Sequence, residues 1–450
     1  MPKKEGKLDL NKKLYVLITI DAENPQTPLY ENKLKSNFFL NQYSNKTIMD
    51  ICDEYDAKCT FFLNVYEVGK WGKEKMRTIC KNIYDREFDI QLHTHPCWLY
   101  DFNRINMYEY SFEEQKNIIK EGMNLLKEFT GEIPLAHRAG AYGINENTLK
   151  ALKINGIRYD FSMFYKHNNC KTNFSINKII ERNNIVEVPV TVLKNNNSIL
   201  KLDIDWLSDS ELQKAIYIAK ESNLKVVTLF MHSYSYVKYT RDYQHFNIDY
   251  NDLLKFINVM ELIKNDKDIE VLTVKDFIKL CCEKKFPVSN NEDKILDLDK
   301  NVLYNKLNFI NNFNSKYKNK IFKEVYHYFN DIKKNKINLL KKMFKDVSSK
   351  NIGIYGTGEH TKKMLEDYKK YIGKIDFSIY FFNSNPNLWG TKYLGLKICN
   401  TAEIPKLNLD RIIISSYEFQ NEIYESIKKY VENDIKIIKI YEDNEKNIFI

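Results

Sequence analysis

LYVLITIDAE, residues 14–23, is a continuous apolar run that stops in two acids. Its apolar part, LYVLITI (14–20), rich in β-branched and aromatic residues, reads as a strand. The same design returns along the chain. TFFLNVY (60–66), FDIQLHTH (88–95), RYDFSMF (158–164), IVEVPVTVL (185–193), KVVTLFMH (225–232) and IEVLT (269–273) also read as strands. Helical patterns separate them. Ser111-Phe-Glu-Glu114 and Ser208-Asp-Ser-Glu211 are capping boxes that open apolar-periodic helices, and Gly131 stands where the first of these should stop. The alternation predicts a parallel α/β sheet, open or closed into a barrel, over residues 1–285.

The polar residues at the strand exits carry the chemistry. His93 and His95 lie two apart at the end of a strand, which puts both imidazoles on one face. Such a pair begins a site for zinc or a similar divalent ion, which needs a third ligand and an open position for water. Asp21 and Glu23 share a face at the exit of the first strand and offer that ligand. Arg138, in AHRAGAYG, follows a short strand after Pro134, and His232 closes KVVTLFMH. All of these are expected on one rim, at the carboxyl ends of the strands, where α/β folds gather their active sites.

Four short motifs then arrive in one order: TIDAE at 19–23, QLHTHP at 91–96, HRAGAY at 137–142 and LFMH at 229–232. Over residues 13 to about 285 the chain resembles the polysaccharide deacetylases with NodB homology, carbohydrate esterase family 4. Within that family it resembles a cytoplasmic branch associated with lipopolysaccharide or capsule assembly. The resemblance implies an irregular (β/α) barrel of about seven strands and a metal-dependent carbohydrate N-deacetylase. Such an enzyme hydrolyses the linear amide of an N-acyl, typically N-acetyl, amino sugar. The family's first motif has two adjacent acids, a base and a ligand. Here Ala22 takes the second place, so Asp21 is assigned as base and Glu23 as ligand. The family's histidines stand four apart, but Gln91 occupies that position and His93 must replace it beside His95. Arg138 keeps the cation that braces the base, without the proline that usually follows. Tyr142 marks the oxyanion donor, a backbone N–H, and His232 the acid that protonates the leaving amine. The fourth motif, an acid before Trp206, is either Asp203 or Asp205. One divalent ion, zinc by its donors, is the implied cofactor. The same departures also fit a degenerate fold that binds glycan without turnover.

Past residue 285 the strand signal fades. Residues 286–349 read as a helical basic linker, and 350–450 as a second, smaller α/β domain. Twelve lysines against three acids between Asn301 and Lys350 account for the whole net charge of +9. Such a block suits a solvated helix or contact with an anionic membrane face, and no nucleic-acid-binding motif accompanies it. Gly356-Thr-Gly358-Glu-His-Thr361 follows a strand and opens a helix. It resembles a dinucleotide fingerprint, with Thr361 in place of the third glycine and Asn383 where the ribose-binding acid would fall. The last hundred residues look like the small Rossmann-like modules of surface-glycan biosynthesis. Gly356 and Gly358 would then receive a phosphate of a nucleotide- or lipid-linked sugar. The eight cysteines form no CxxC pair, and reduced thiols are expected. The start has no apolar leader segment, so a cytoplasmic protein is expected.

Overall fold

The computed structural model describes residues 13–24, 38–172, 175–196, 198–222, 224–239, 246–283, 293–299, 333–348, 350–416, 419–431 and 434–441. It divides into two compact units, Met1–Phe313 and Asn314–Ile450.

The first unit is built on a curled sheet. Its strands are β1 (Leu14–Ala22), β2 (Thr60–Asn64), β3 (Asp89–Thr94), β4 (Ala136–Ala139), β5 (Tyr159–Asp160), β6 (Ile180–Arg182) and β7 (Ile185–Glu187). The chain continues through β8 (Val192–Asn195), β9 (Ser198–Lys201), β10 (Val226–His232), the hairpin β11 and β12 (Val237–Tyr239, Phe246–Ile248), β13 (Ile269–Leu272) and β14 (Leu296–Asp297). The sheet order is β10-β1-β2-β3-β4-β5-β7-β6, with β13 beside the first half of β1. All its pairs are parallel except β6 with β7. Every residue of β1 is buried, as a run apolar on both faces requires. The capping boxes act as expected. Ser111 caps the helix Phe112–Thr130, which stops at Gly131 in the left-handed conformation (φ 81°), and Ser208 caps the helix Asp209–Glu221.

Two expectations change. Among the described residues the sheet holds nine strands rather than about seven, and its path is open, so the expected barrel is a half-barrel. After β7 the chain leaves the sheet, because β8 pairs with β9 and β14 in a three-stranded sheet of its own. Side chains help to cross the gap. The Thr191 N–H donates to Thr228 Oγ1 at 3.0 Å and the Thr228 N–H donates to Thr191 Oγ1 at 2.8 Å, while the backbone at Asp203 forms a β-bridge with Phe230. β5 falls within the run RYDFSMF, whereas the two-residue β14 is too brief to carry a periodic signal. β14 also takes the first unit beyond residue 285, into the stretch expected to be linker. Most of 286–349, including much of the lysine-rich block, lies outside the described residues, and a helix over 333–343 belongs to the second unit.

The second unit has β15 (Asn351–Tyr355), β16 (Ser378–Phe382), β17 (Lys392–Tyr393), β18 (Leu396–Cys399), β19 (Arg411–Ile414) and β20 (Lys436–Lys439), in the order β17-β18-β16-β15-β19-β20. β18, β16, β15, β19 and β20 are parallel. Counted along the chain they run 3-2-1-4-5, an order that reverses between β15 and β19. Ile352, Ile354, Phe381 and Ile413 form the centre of its core. No helix among the described residues is long and apolar enough to cross a membrane. All eight cysteines are free.

Burial has an electrostatic cost at Glu187. Its Oε2 is buried without a hydrogen-bond partner among the described residues, and Arg182 reaches only Oε1, at 3.3 Å. Burial, then the neighbouring Asp160, pushes the Glu187 carboxyl up from 4.5 to about 7. A carboxyl raised on folding binds more protons in the native state between those two values. Its stabilising effect is therefore complete below the unfolded value and is lost as pH rises through 7. Glu187→Gln should remove up to ~3 kcal/mol of this decline. Urea denaturation between pH 4.5 and 8 will show a flatter profile for the variant, and a slope equal to that of the wild type would refute the assignment.

Candidate metal centre and active site

Parallel register assembles the site. Asp21 of β1 stands beside His232 of β10, and His93 of β3 lies between Asn64 of β2 and Arg138 of β4. Residues from five strands thus meet at the carboxyl edge, as the sequence leads one to expect.

Glu23, His93 and His95 are buried together, and their ligand atoms all lie within 4.8 Å of one another. Glu23 Oε2 is 3.0 Å from His95 Nε2 and 3.7 Å from His93 Nε2. His93 Nδ1 is 2.9 Å from the carbonyl oxygen of Arg138. A carbonyl can only accept, so Nδ1 carries the proton and Nε2 presents its lone pair to the site. Neither His93 Nε2 nor Glu23 Oε2 has a hydrogen-bond partner among the described residues. Two unsatisfied buried acceptors cost about 1–3 kcal/mol each, and a divalent cation between them would relieve both. The donor set therefore fits a metal ion. Gly140 is required here, because a Cβ would fall 2.2 Å from the His95 ring.

The loop carrying Glu23 is held from two sides. Ser233 Oγ donates to the Glu23 carbonyl at 2.6 Å and accepts from its N–H at 3.3 Å. The buried Glu67 accepts from the Asn24 N–H at 2.8 Å, from the Asn24 side-chain amide, and from Trp71 Nε1 at 3.0 Å. Burial pushes the Glu67 carboxyl up to about 7.

Asp21 lies beside the triad, with Oδ2 3.6 Å from His93 Nε2. Arg138 donates to Asp21 Oδ1 at 2.8 Å and to Thr19 Oγ1 at 3.0 Å. Its guanidinium is sandwiched between the rings of Phe62 and Phe230 and is 1% exposed. Burial alone would raise the Asp21 carboxyl, but His93, Arg138 and His232 outweigh it and hold the group below the usual carboxylate range. It stays ionised at neutral pH.

On the neighbouring strand, His232 Nδ1 is 3.3 Å from Asp205 Oδ2, and its ring stacks on Tyr234. Burial would lower this imidazole, yet Asp205 leads the groups that raise it. The fourth-motif acids thus separate. Asp205 faces His232, whereas Asp203 pairs with Lys201 at 2.6 Å. Tyr142 closes a turn in which both Ala141 (φ 48°) and Tyr142 (φ 58°) are left-handed, a strained conformation for side-chain-bearing residues. His137 points elsewhere, bonding Asp160 at 2.7 Å and Thr94 at 3.0 Å in a buried relay that anchors the end of β3.

Residues 15–159 match the polysaccharide deacetylase family model. That match holds the triad, Asp21, Arg138 and Tyr142, while His232 lies beyond it. Solved structures similar to this chain include deacetylases and related folds. A family 4 carbohydrate esterase from Streptomyces lividans, in complex with acetate, is 14% identical over 57% of this chain and 90% of its own, with TM-score 0.32. A peptidoglycan deacetylase from Bacillus subtilis is 13% identical over 62% and 96%, TM-score 0.32. A family 4 pseudoenzyme from Bacillus anthracis is 14% identical over 59% and 65%, TM-score 0.32. No curated protein matches the chain. Residues 348–438 match a second family model, described as C2185-like, N-terminal.

Outside the deacetylase-like unit, Gly356 and Gly358 sit between β15 and the helix Glu359–Tyr371 of the second unit. Gly356 has φ 119°, and a Cβ there would meet the Ser415 carbonyl oxygen at 2.6 Å; nothing crowds Gly358. Thr361 Oγ1 donates to the Gly356 carbonyl, Tyr393 OH donates to that of Gly358, and Asn383 bonds Thr357. Sequence reasoning missed Lys201, Glu67 and Ser233. Only Ser233 had a signal, its place directly after His232.

Proposed function

We propose that the chain is a metal-dependent hydrolase that removes an N-acyl group, N-acetyl in the first instance, from an amino sugar of a surface-glycan precursor. The observation that carries this reading is the buried convergence of Glu23, His93 and His95, with two atoms that lack a hydrogen-bond partner among the described residues, beside an ionised Asp21. Glu23 Oε2, His93 Nε2 and one nitrogen of His95 would hold the ion, with zinc favoured by the nitrogen-rich donor set. When bound, it supplies a Lewis-acidic charge that eases hydroxide formation and polarises a carbonyl near neutral pH.

The chain's own residues do the rest. Asp21 takes the proton of the attacking water as the C–O bond forms, and Arg138 keeps its carboxylate aimed and charged. The Tyr142 N–H donates to the developing oxyanion. As the C–N bond breaks, His232 Nε2 delivers a proton to the leaving amine, and Asp205 fixes the ring at Nδ1. The second unit's contribution is to bind the carrier, with a phosphate received at the helix start after Gly358, where the helix dipole favours an anion.

The test is acetate release by the zinc-loaded protein from free, nucleotide-linked and lipid-linked N-acetyl sugars, with a chelated control. Release should require metal. Gly358→Asp, which nothing crowds, should raise KM for the carrier-linked substrates and spare the free sugar. Metal binding and glycan binding without release would favour the non-catalytic alternative, and equal KM values for Gly358→Asp would remove the second unit from substrate binding.

A further inference from the structure

The geometry points to Lys201 as a positioning residue for the oxyanion side of this site, an inference that rests on the role proposed for Tyr142. Lys201 ends β9, at the seam where the half-barrel stays open, and is 3% exposed. A lysine is rarely buried this far unless its charge is matched. Here the match is threefold. The ammonium donates to Tyr142 OH at 3.0 Å, pairs with Asp203 at 2.6 Å, and lies 3.5 Å from the centroid of the Phe230 ring. These partners come from both halves of the site. Tyr142 belongs to the strained turn whose N–H is the proposed donor to the oxyanion. Asp203 also accepts from the Asp205 N–H at 2.6 Å, and Asp205 holds His232.

The turn needs such a brace. Two successive left-handed residues that are not glycine each cost about 1–3 kcal/mol and persist only where surrounding contacts over-determine them. The Tyr142 ring packs edge-on to Phe164, which fixes its plane, and Lys201 fixes its far end. Through the ring, the ammonium sets where the Tyr142 N–H points. Lys201 itself donates to protein groups and touches no reacting atom.

The test compares wild type, Tyr142→Phe, Lys201→Met and the double variant, all zinc-loaded. Tyr142→Phe removes only the hydroxyl, so it remains informative if Lys201→Met, which strands Asp203, folds poorly. Each single variant should lower kcat by about 10- to 100-fold with KM within about twofold, since a small misplacement of a reacting group is costly. The double variant should be no slower than the slower single one, because both remove one interaction. Wild-type kcat in Tyr142→Phe, additive losses, or a raised KM with kcat unchanged would overturn the inference. Urea unfolding of the same four proteins separates the two readings. Coupled stabilities with no hydrolysis by the wild type would support the brace and count against the deacetylase reading alone, whereas uncoupled stabilities would overturn the brace.

Discussion

Asp21→Asn will leave the chain folded and metal-binding while kcat falls by about 10²–10⁴-fold, the usual worth of a positioned general base. Asparagine retains an oxygen to accept from Arg138, which now donates to Asp21 Oδ1 at 2.8 Å. The buried guanidinium therefore keeps a partner there, together with Thr19 and the sandwich of Phe62 and Phe230. The amide cannot take a proton from water, and that is the function removed. Three measurements check it: the circular dichroism spectrum, metal per chain, and kcat on whichever N-acetyl sugar the wild type hydrolyses. Near-normal kcat with intact metal would mean that the base lies elsewhere. Loss of metal together with activity would instead make Asp21 a ligand, a real alternative given its 3.6 Å approach to His93 Nε2.

His93→Ala should abolish stoichiometric metal binding. Changes to groups that merely support a ligand cost about 10–100-fold in metal affinity, and removing a ligand should cost more. His93 is the triad member with the most secure tautomer, because the Arg138 carbonyl accepts from Nδ1. Its Nε2 also lacks any other hydrogen-bond partner among the described residues. The wild type should gain about 2.7 kcal/mol of stability at a zinc concentration 100 times Kd. His93→Ala should gain almost nothing at that concentration. Thermal unfolding with and without zinc, alongside metal analysis, reads both. An equal zinc-induced rise in Tm for the variant would place the ion away from the triad.

Much of this was legible in the chain itself. Continuous apolar runs and capping boxes at Ser111 and Ser208 placed the elements of the first unit. A parallel sheet must present the carboxyl ends of its strands on one edge, so Asp21, Glu23, His93, His95, Arg138 and His232 could be expected together from local pattern alone. Side-chain alternation within a strand supplied the shared face of His93 and His95.

What the chain could not disclose depends on contacts between residues distant in sequence. KLDIDW holds two acids that local pattern treats alike. Pairing decides between them: Asp203 is tied to Phe230 across the seam and to Lys201, which leaves Asp205 to face His232. Glu67 supports the Glu23 loop through Asn24, across 43 residues. Lys201 reaches Tyr142 across 59. No periodicity marks such residues, because their burial is repaid by partners that only folding brings near. The open barrel has the same origin. Whether β7 is followed by another strand of the curled sheet or by a separate β8–β9 pair depends on which edges find partners. Propensity and hydrophobic pattern set each strand's character, and tertiary packing set its neighbour.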